Sequence, residues 1–158
     1  KVTSFDTYTS PNPFSPDGTR VVTAGTGNTV HICDVQTGKE VTTLAGHEGP
    51  VTSVSFNSTG NLILTTAKDQ TARVWDARTG EEVVTLRPPG QQIRLAAFSA
   101  GDAKVLTVSG EAFPNETSPK SVARLWPMDP LAVAVKRKPR DLTAEERKKF
   151  LIEDPESK

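Results

Sequence analysis

A spacing of 42 residues recurs along the chain, and it constrains the fold more than any other feature of the sequence. Phe14, Phe56 and Phe98 are separated by this interval. The same spacing separates the turn sequences SPDG and NSTG, and the turn sequence SAGD follows the third phenylalanine. It also separates Cys33-Asp34 from Trp75-Asp76, and Thr37-Gly38 from Thr79-Gly80. So many matches in one register indicate an internal repeat.

Each repeat contains several short runs that are typical of β-strands. In the middle unit the runs are rich in β-branched residues and end at Gly, Asn or Asp, as strands joined by tight turns do. Four antiparallel strands in about 42 residues are typical of one blade of a β-propeller. The predicted strands are 51–56, 62–66, 71–75 and 82–86.

Three short motifs in the middle unit resemble the WD40 repeat: Gly46-His47, Asp69-Gln70-Thr71 and Trp75-Asp76. The first unit departs from that pattern because Gly27 and Cys33 stand where Asp and Trp are expected. The third unit keeps Trp126 but follows it with Pro127. The resemblance extends over roughly residues 2–135. It implies an all-β fold of WD40-type propeller blades, with three four-stranded antiparallel blades in an incomplete ring, followed by a short C-terminal helix.

The repeat divides the chain into five segments. Three blades are too few to close a propeller, which typically has four to eight. We therefore expect either a longer propeller, which the strand-like residues 2–5 favour, or association of several copies. Residues 1–6 are expected to form the outer strand of a preceding blade. Blades 1 to 3 are residues 7–46, 47–90 and 91–136, and the third blade ends in a strand at 131–136. Residues 137–158 form a basic linker and the helix.

The resemblance also implies a structural role for four polar side chains in blade 2. His47, Thr65 (or Thr66), Asp69 and Trp75 are expected to form a hydrogen-bonded network, because a buried indole N–H needs an acceptor and a hydroxyl or imidazole can pass the bond on. A histidine, an aspartate and a hydroxyl are also the components of a hydrolase triad. The repeat context favours the structural interpretation, and the chain has no G-x-S-x-G motif.

His31 and Cys33 are two residues apart on a predicted strand, so both side chains lie on one face and are possible metal ligands. A metal site would need two more ligands beside this pair, and we favour ordinary packing of the two side chains. We expect no catalytic residue, no metal site and no cofactor in this chain.

The resemblance implies a non-catalytic scaffold that binds a protein or peptide on the face formed by the 4→1 and 2→3 loops. The alternative is a regulatory propeller domain of a larger enzyme, such as a signalling kinase, with catalysis outside this chain. Six positions are candidate partner contacts: Ser10, Thr52 and Arg94 near the start of the first strands, Thr26 and Lys68 in the 2→3 turns, and Phe113 in the enlarged 2→3 loop 110–120.

Composition argues against two other classes of partner. The formal net charge is zero, which gives no broad basic surface for nucleic acid. No apolar run approaches the roughly 18 residues of a membrane span. The first residues do not form a signal peptide, so we expect a cytoplasmic protein.

Overall fold

The computed structural model describes residues 13–25, 27–88, 92–110 and 121–128, which form three antiparallel β-sheets and one short 3₁₀ turn, Ala100–Asp102. The first sheet contains β1 (Arg20–Ala24), β2 (Val30–Asp34) and β3 (Glu40–Leu44). The middle sheet contains β4 (Val51–Phe56), β5 (Leu62–Ala67), β6 (Ala72–Asp76) and β7 (Glu82–Leu86). The third contains β8 (Ile93–Phe98), β9 (Lys104–Ser109) and β10 (Val122–Pro127).

The all-β architecture is as predicted, and the middle sheet is the four-stranded meander β4-β5-β6-β7. Its strand ends agree with the sequence pattern to within one residue. The other two sheets have three strands each within the described residues, and the three sheets do not form a closed ring. Of the expected inner strand of blade 1, the described residues include an isolated bridge from Phe14 to Val21. The predicted strand 131–136 and C-terminal helix lie outside the described residues.

The middle sheet packs one face on the sheet before it and the other on the sheet after it, and the first and third sheets have the same two faces. We call these the preceding face and the following face. Side chains on a strand alternate between faces, so in β5 Ile63 lies on the preceding face and Leu64 on the following face. The preceding face of the middle sheet joins the first sheet in one apolar core. Its following face joins the third sheet in a second core.

The 42-residue spacing places equivalent side chains at equivalent depths in these cores. On the following faces, Val22 and Leu64 are both 2 % exposed, and Ile32 and Val74 are both 0 % exposed. On the preceding faces, Ile63 and Val105 are each 0 % exposed. The sequence repeat is therefore a repeat of inter-sheet packing, because each position serves the same interface in successive sheets.

A single arginine ties the first sheet to the middle sheet beside the apolar core. The Arg20 Nη2 donates to the Gly60 carbonyl at 2.7 Å, and its Nη1 donates to the Ala77 carbonyl at 3.3 Å. The same guanidinium lies 5.5 Å from the centroid of the Phe56 ring, within the range of a cation–π contact. Arg20 thus satisfies backbone acceptors of the next sheet and places its charge over an aromatic ring of that sheet.

An aspartate makes the corresponding connection between the middle and third sheets. The Asp102 carboxylate accepts hydrogen bonds from the Ser58 amide, the Ser58 hydroxyl and the Asn57 Nδ2. Asp102 occupies the turn position held by Gly60 in the middle sheet, and both residues have left-handed backbone, with φ of 57° and 72°. Asp tolerates this conformation better than most residues, so the third turn keeps its shape and gains an inter-sheet contact.

We predict that Asp102→Ala lowers the free energy of unfolding by about 2–3 kcal/mol, because it removes bonds to a charged acceptor and places alanine in the left-handed region. Asp102→Gly should lower the free energy of unfolding by about 1 kcal/mol less than Asp102→Ala does, since glycine relieves the backbone strain although the hydrogen bonds are still lost. Urea unfolding followed by tryptophan fluorescence measures both. Equal stability of Asp102→Ala and the parent chain would contradict the inter-sheet role.

Candidate functional site

The four polar side chains of blade 2 that were expected to form a network lie together in the structure. His47 comes from the loop between β3 and β4, Thr65 from β5, Asp69 from the β5–β6 turn, and Trp75 from β6. Exposure is 7 % for His47, 1 % for Thr65 and 2 % for Trp75. Strand pairing brings Thr65 and Trp75 to the same face, since Ile63 pairs with Trp75 and Thr65 lies two residues further along β5.

Three hydrogen bonds connect these side chains in series. The Trp75 Nε1–H donates to the Thr65 hydroxyl at 2.8 Å. The Thr65 Oγ1 is 2.7 Å from the His47 Nε2, and the His47 Nδ1 is 2.8 Å from the Asp69 Oδ2. The indole and imidazole rings also meet edge to face, with centroids 5.9 Å apart. Every polar atom of the series is used, which is what burial of such groups requires.

The charge states of His47 and Asp69 fix the direction of the series. Burial of Asp69 by itself raises its pKa, but the bonds that the carboxylate accepts, first from His47 and then from Thr71, outweigh burial and lower the pKa to about 2. The ionised carboxylate only accepts, so the His47 Nδ1 carries the hydrogen. Burial lowers the pKa of His47, against the opposing effect of Asp69, and the ring is neutral at pH 7. Its Nε2 therefore accepts the Thr65 hydroxyl proton.

Asp69 also holds its own turn and the neighbouring loop. Its Oδ1 accepts from the Thr71 hydroxyl at 2.7 Å and from the Thr71 amide at 2.9 Å. Its Oδ2 accepts from the Glu48 amide at 3.0 Å, and the Lys68 amide donates to the Pro50 carbonyl at 2.9 Å. One carboxylate therefore joins the β3–β4 loop to the β5–β6 turn.

Two glycines allow the loop to approach so closely. A Cβ on Gly46 would lie 3.3 Å from the Trp75 ring and 3.0 Å from the Arg73 guanidinium. A Cβ on Gly49 would lie 2.8 Å from the Asp69 backbone nitrogen, which is closer than real Cβ contacts allow. The two residues of the Gly46-His47 pair thus have different roles. Gly46 leaves room for the loop over the Trp75 indole, and the His47 side chain takes part in the hydrogen-bonded network.

The geometry is unlike that of a hydrolase triad. A nucleophile has to reach its substrate, whereas the Thr65 hydroxyl is buried and already accepts the Trp75 N–H. A substrate carbonyl at Thr65 would have to displace the indole. The arrangement of His47, Asp69 and Thr65 is suited to holding strands and loops together.

The third sheet retains part of this network, which was not among the expectations from the sequence. The Trp126 Nε1–H donates to the Thr107 hydroxyl at 2.9 Å, and Thr107 lies one repeat after Thr65. The 42-residue spacing from Thr65 to Thr107 was the signal that would have identified this pair. The bonds from Thr71 and from the Glu48 amide to Asp69 were also missed. The motif Asp69-Gln70-Thr71 was the signal for Thr71, whereas a backbone donor such as the Glu48 amide leaves no residue-type pattern.

His31 belongs to a second repeated contact. Its Nδ1 lies 2.8 Å from the Glu40 Oε2, and one repeat later the Arg73 Nη1 lies 2.6 Å from the Glu82 Oε2. In both sheets the same glutamate also accepts from a threonine three residues on. His31 therefore takes part in a strand-to-strand pair. Among the described residues, no three His, Cys, Asp or Glu side chains are grouped to hold a metal ion.

Three of the six candidate partner contacts fall within the described residues. Lys68 is exposed in the β5–β6 turn, and Arg94 is exposed in β8. Thr52 is half-buried, and its hydroxyl is 2.8 Å from that of Thr66. Ser10, Thr26 and Phe113 lie outside the described residues.

Thr52 and Arg94 share an irregularity that the sequence did not reveal. The pairing of β4 with β5 shifts between Val51 and Ser53, and the pairing of β8 with β9 shifts between Ile93 and Leu95. Each shift skips the candidate residue. Such bulges change the direction of a side chain relative to the pleat. Thr52 and Arg94 are 42 residues apart and each lies at a bulge, so they occupy equivalent sites at the loop end of two successive sheets.

Comparison with known proteins places repeats in the part of the chain that holds this network. The family model of the WD domain, G-beta repeat, matches residues 1–34 and 38–76. The chain is also 46 % identical over 65 residues to the periodic tryptophan protein 2 homolog of Schizosaccharomyces pombe (strain 972 / ATCC 24843). That alignment covers 35 % of this chain and only 8 % of the relative. In the described part of the chain, no helix is both long and apolar enough to cross a membrane.

We predict that Thr65→Val lowers the free energy of unfolding by about 2–4 kcal/mol. The substitution keeps the side-chain shape but leaves the Trp75 N–H and the His47 Nε2 buried without a partner. Thr107→Val is the matched control, because loss of the Thr107 hydroxyl affects one indole, that of Trp126, which is only partly buried. Chemical unfolding at pH 7 compares the two variants, and an effect of Thr107→Val as large as that of Thr65→Val would contradict the serial network.

We predict that acid weakens the fold in two steps. The pKa of His47 is lowered by burial, so the unfolded chain takes up a proton at higher pH than the folded chain does, and the free energy of unfolding falls as the pH drops below about 6.5. The pKa of Asp69 is lowered to about 2, so a further fall follows between about pH 4 and pH 2. The limiting slope is about 1.4 kcal/mol per pH unit for each group.

Urea unfolding from pH 7 to pH 5 measures the first step. In His47→Gln the His47 contribution to the slope should disappear, whereas His31→Gln should retain it. A His47→Gln chain with the slope of the parent chain would contradict the assignment.

Proposed function

Since this chain contains WD40 repeats, we propose that it is a non-catalytic scaffold that binds a protein or peptide on the face formed by the β3–β4 and β7–β8 loops and the β5–β6 turn. WD40 repeats generally mediate protein–protein contacts. The single observation that best supports this face is the fastening of its loops by Asp69, which accepts from the Glu48 amide in the adjacent loop. Loops held in one conformation lose less entropy when a partner binds.

The exposed side chains on this face suggest the chemistry of the partner. Lys68, Arg87 and Arg94 are exposed there, and Glu48 is the exposed carboxylate among the described residues of the same loops. A peptide that carries Asp or Glu residues matches this excess of cations, because complementary charge favours encounter and orientation. Arginine is also enriched in protein interfaces. Phe113 remains a proposed apolar anchor from the enlarged loop 110–120.

The buried network supports a role in presenting this face. The groups that would be needed for acid–base chemistry at His47 are all engaged in bonds to Thr65 and Asp69. The relative from S. pombe is matched over 8 % of its length, so its activities as a whole protein are not transferred to this chain. A cytoplasmic location fits a scaffold of this kind and is part of the proposal.

A selection from a random peptide library on the immobilised 158-residue chain tests the proposal. We predict that the selected peptides are enriched in acidic residues. Combined Lys68→Ala and Arg94→Ala should weaken their binding at least about tenfold, which corresponds to about 1.4 kcal/mol. Phe113→Ala should weaken it further.

The matched control is the combined substitution Lys39→Ala and Arg78→Ala, which removes two exposed cations from the opposite, β2–β3 and β6–β7, turns. Fluorescence anisotropy of a labelled selected peptide compares the variants. Binding that survives Lys68→Ala with Arg94→Ala but is lost in the control would place the partner on the opposite face and overturn the proposal.

A further inference from the structure

Two sheet faces lie at the ends of the three-sheet arc, and no other described sheet packs on them. They are the preceding face of the first sheet and the following face of the third sheet. Four of the six exposed large apolar side chains in the described part of the chain lie on these faces: Phe14 (49 %), Val35 (46 %), Leu95 (50 %) and Leu125 (60 %). Apolar side chains clustered on one face are typical of an interaction surface.

The repeat shows what kind of surface the first face fits. Val35 is equivalent to Ala77 and Met128, because each donates its amide to the carbonyl of the residue that directly precedes β1, β5 or β9 in its own sheet. Ala77 is 1 % exposed and Met128 is 8 % exposed, and both are buried against the following face of the sheet before them. Phe14 is likewise equivalent to Phe56, which packs against the first core. This end of the arc therefore has the composition of a face that receives another sheet.

The third sheet offers the complementary half. Leu125 is equivalent to Ile32 and Val74, which are 0 % exposed because the next sheet covers them. Its partner in the pairing, Leu106, is equivalent to Val22 and Leu64, each 2 % exposed. The end face of the third sheet is thus the half of the same interface that the first and middle sheets each bury.

Polar and charged groups at the two end faces are complementary, as the apolar side chains are. Lys104 holds the position of Arg20, which reaches the Gly60 and Ala77 carbonyls of the next sheet. The equivalents of those two acceptors on the first sheet are the carbonyls of Gly18 and Val35. The exposed Asp17 carboxylate lies beside Gly18, so a lysine that approaches this turn meets an acceptor and an opposite charge.

We propose that the chain associates head to tail with a second copy of itself, with the following face of the third sheet of one copy docked on the preceding face of the first sheet of the other. The interface uses two different surfaces, so every copy carries both halves, and such contacts build either closed rings or filaments. Two copies supply six sheets, which lies within the range of closed propellers. The expected assembly is a closed dimer. It is independent of the proposed peptide partner.

Sedimentation equilibrium of the 158-residue chain tests the proposal. The expected mass is twice the 17.0 kDa of one chain. Leu125→Glu and Val35→Glu place a charge at opposite ends, at positions exposed enough for the fold to be kept, and each should weaken association at least about tenfold. Lys68→Glu changes the charge on the loop face of the middle sheet and should leave the mass unchanged, although it weakens the proposed peptide binding.

A mixing experiment distinguishes head-to-tail from like-with-like contact. Leu125→Glu retains an intact first-sheet face, and Val35→Glu retains an intact third-sheet face, so an equimolar mixture of these two monomers should form a heterodimer through one interface. Circular dichroism establishes that each variant is folded. A parent chain that stays monomeric at all concentrations, an assembly unaffected by either variant, or a mixture that remains monomeric would overturn the proposal.

Discussion

The indole N–H of Trp75 is the group on which the middle sheet depends. Trp75 is 2 % exposed, so its single donor has to find a partner inside the protein. Thr65 supplies that partner, and the hydroxyl proton of Thr65 then needs the neutral nitrogen of His47. Each group therefore needs the next one as its hydrogen-bond partner, and the series ends at the ionised carboxylate of Asp69, which is partly exposed and tolerates its charge. Burying one large aromatic ring thus determines the tautomer of a histidine and the position of two loops.

The three sheets show how this constraint weakens when its members are replaced. The third sheet retains Trp126 and Thr107 and one hydrogen bond, and Trp126 is only partly buried. In the first sheet Cys33 stands at the tryptophan position, and Thr23, the equivalent of Thr65, has no indole to receive. The apolar positions of the following faces are conserved in character through all three sheets, from Val22 to Leu64 to Leu106. Inter-sheet packing therefore follows the repeat more faithfully than the polar network does.

Much of the fold was predictable from the sequence, because a 42-residue spacing specifies strands, turns and faces together. The four strands of the middle sheet were placed to within a residue on alternation and turn residues alone. The contacts of Asp102 with Asn57 and Ser58 were not predictable, since they depend on how two turns meet in space. The bulges at Thr52 and Arg94 were also hidden, because a bulge is a property of the pairing between strands. In the candidate site, side chains were predictable where residue type is restrictive, as for His47 and Trp75, whereas the backbone donors were not.

The central claim is that hydrogen bonds run in one direction from Trp75 through Thr65 and His47 to Asp69. Nitrogen-15 NMR of the histidine ring, combined with hydrogen exchange of the two indole protons, tests it most directly. At pH 7 we predict a neutral His47 with its proton on Nδ1, and a Trp75 indole proton that exchanges far more slowly than that of Trp126. A His47 ring protonated on Nε2, or a Trp75 indole proton that exchanges as fast as that of Trp126, would contradict the account.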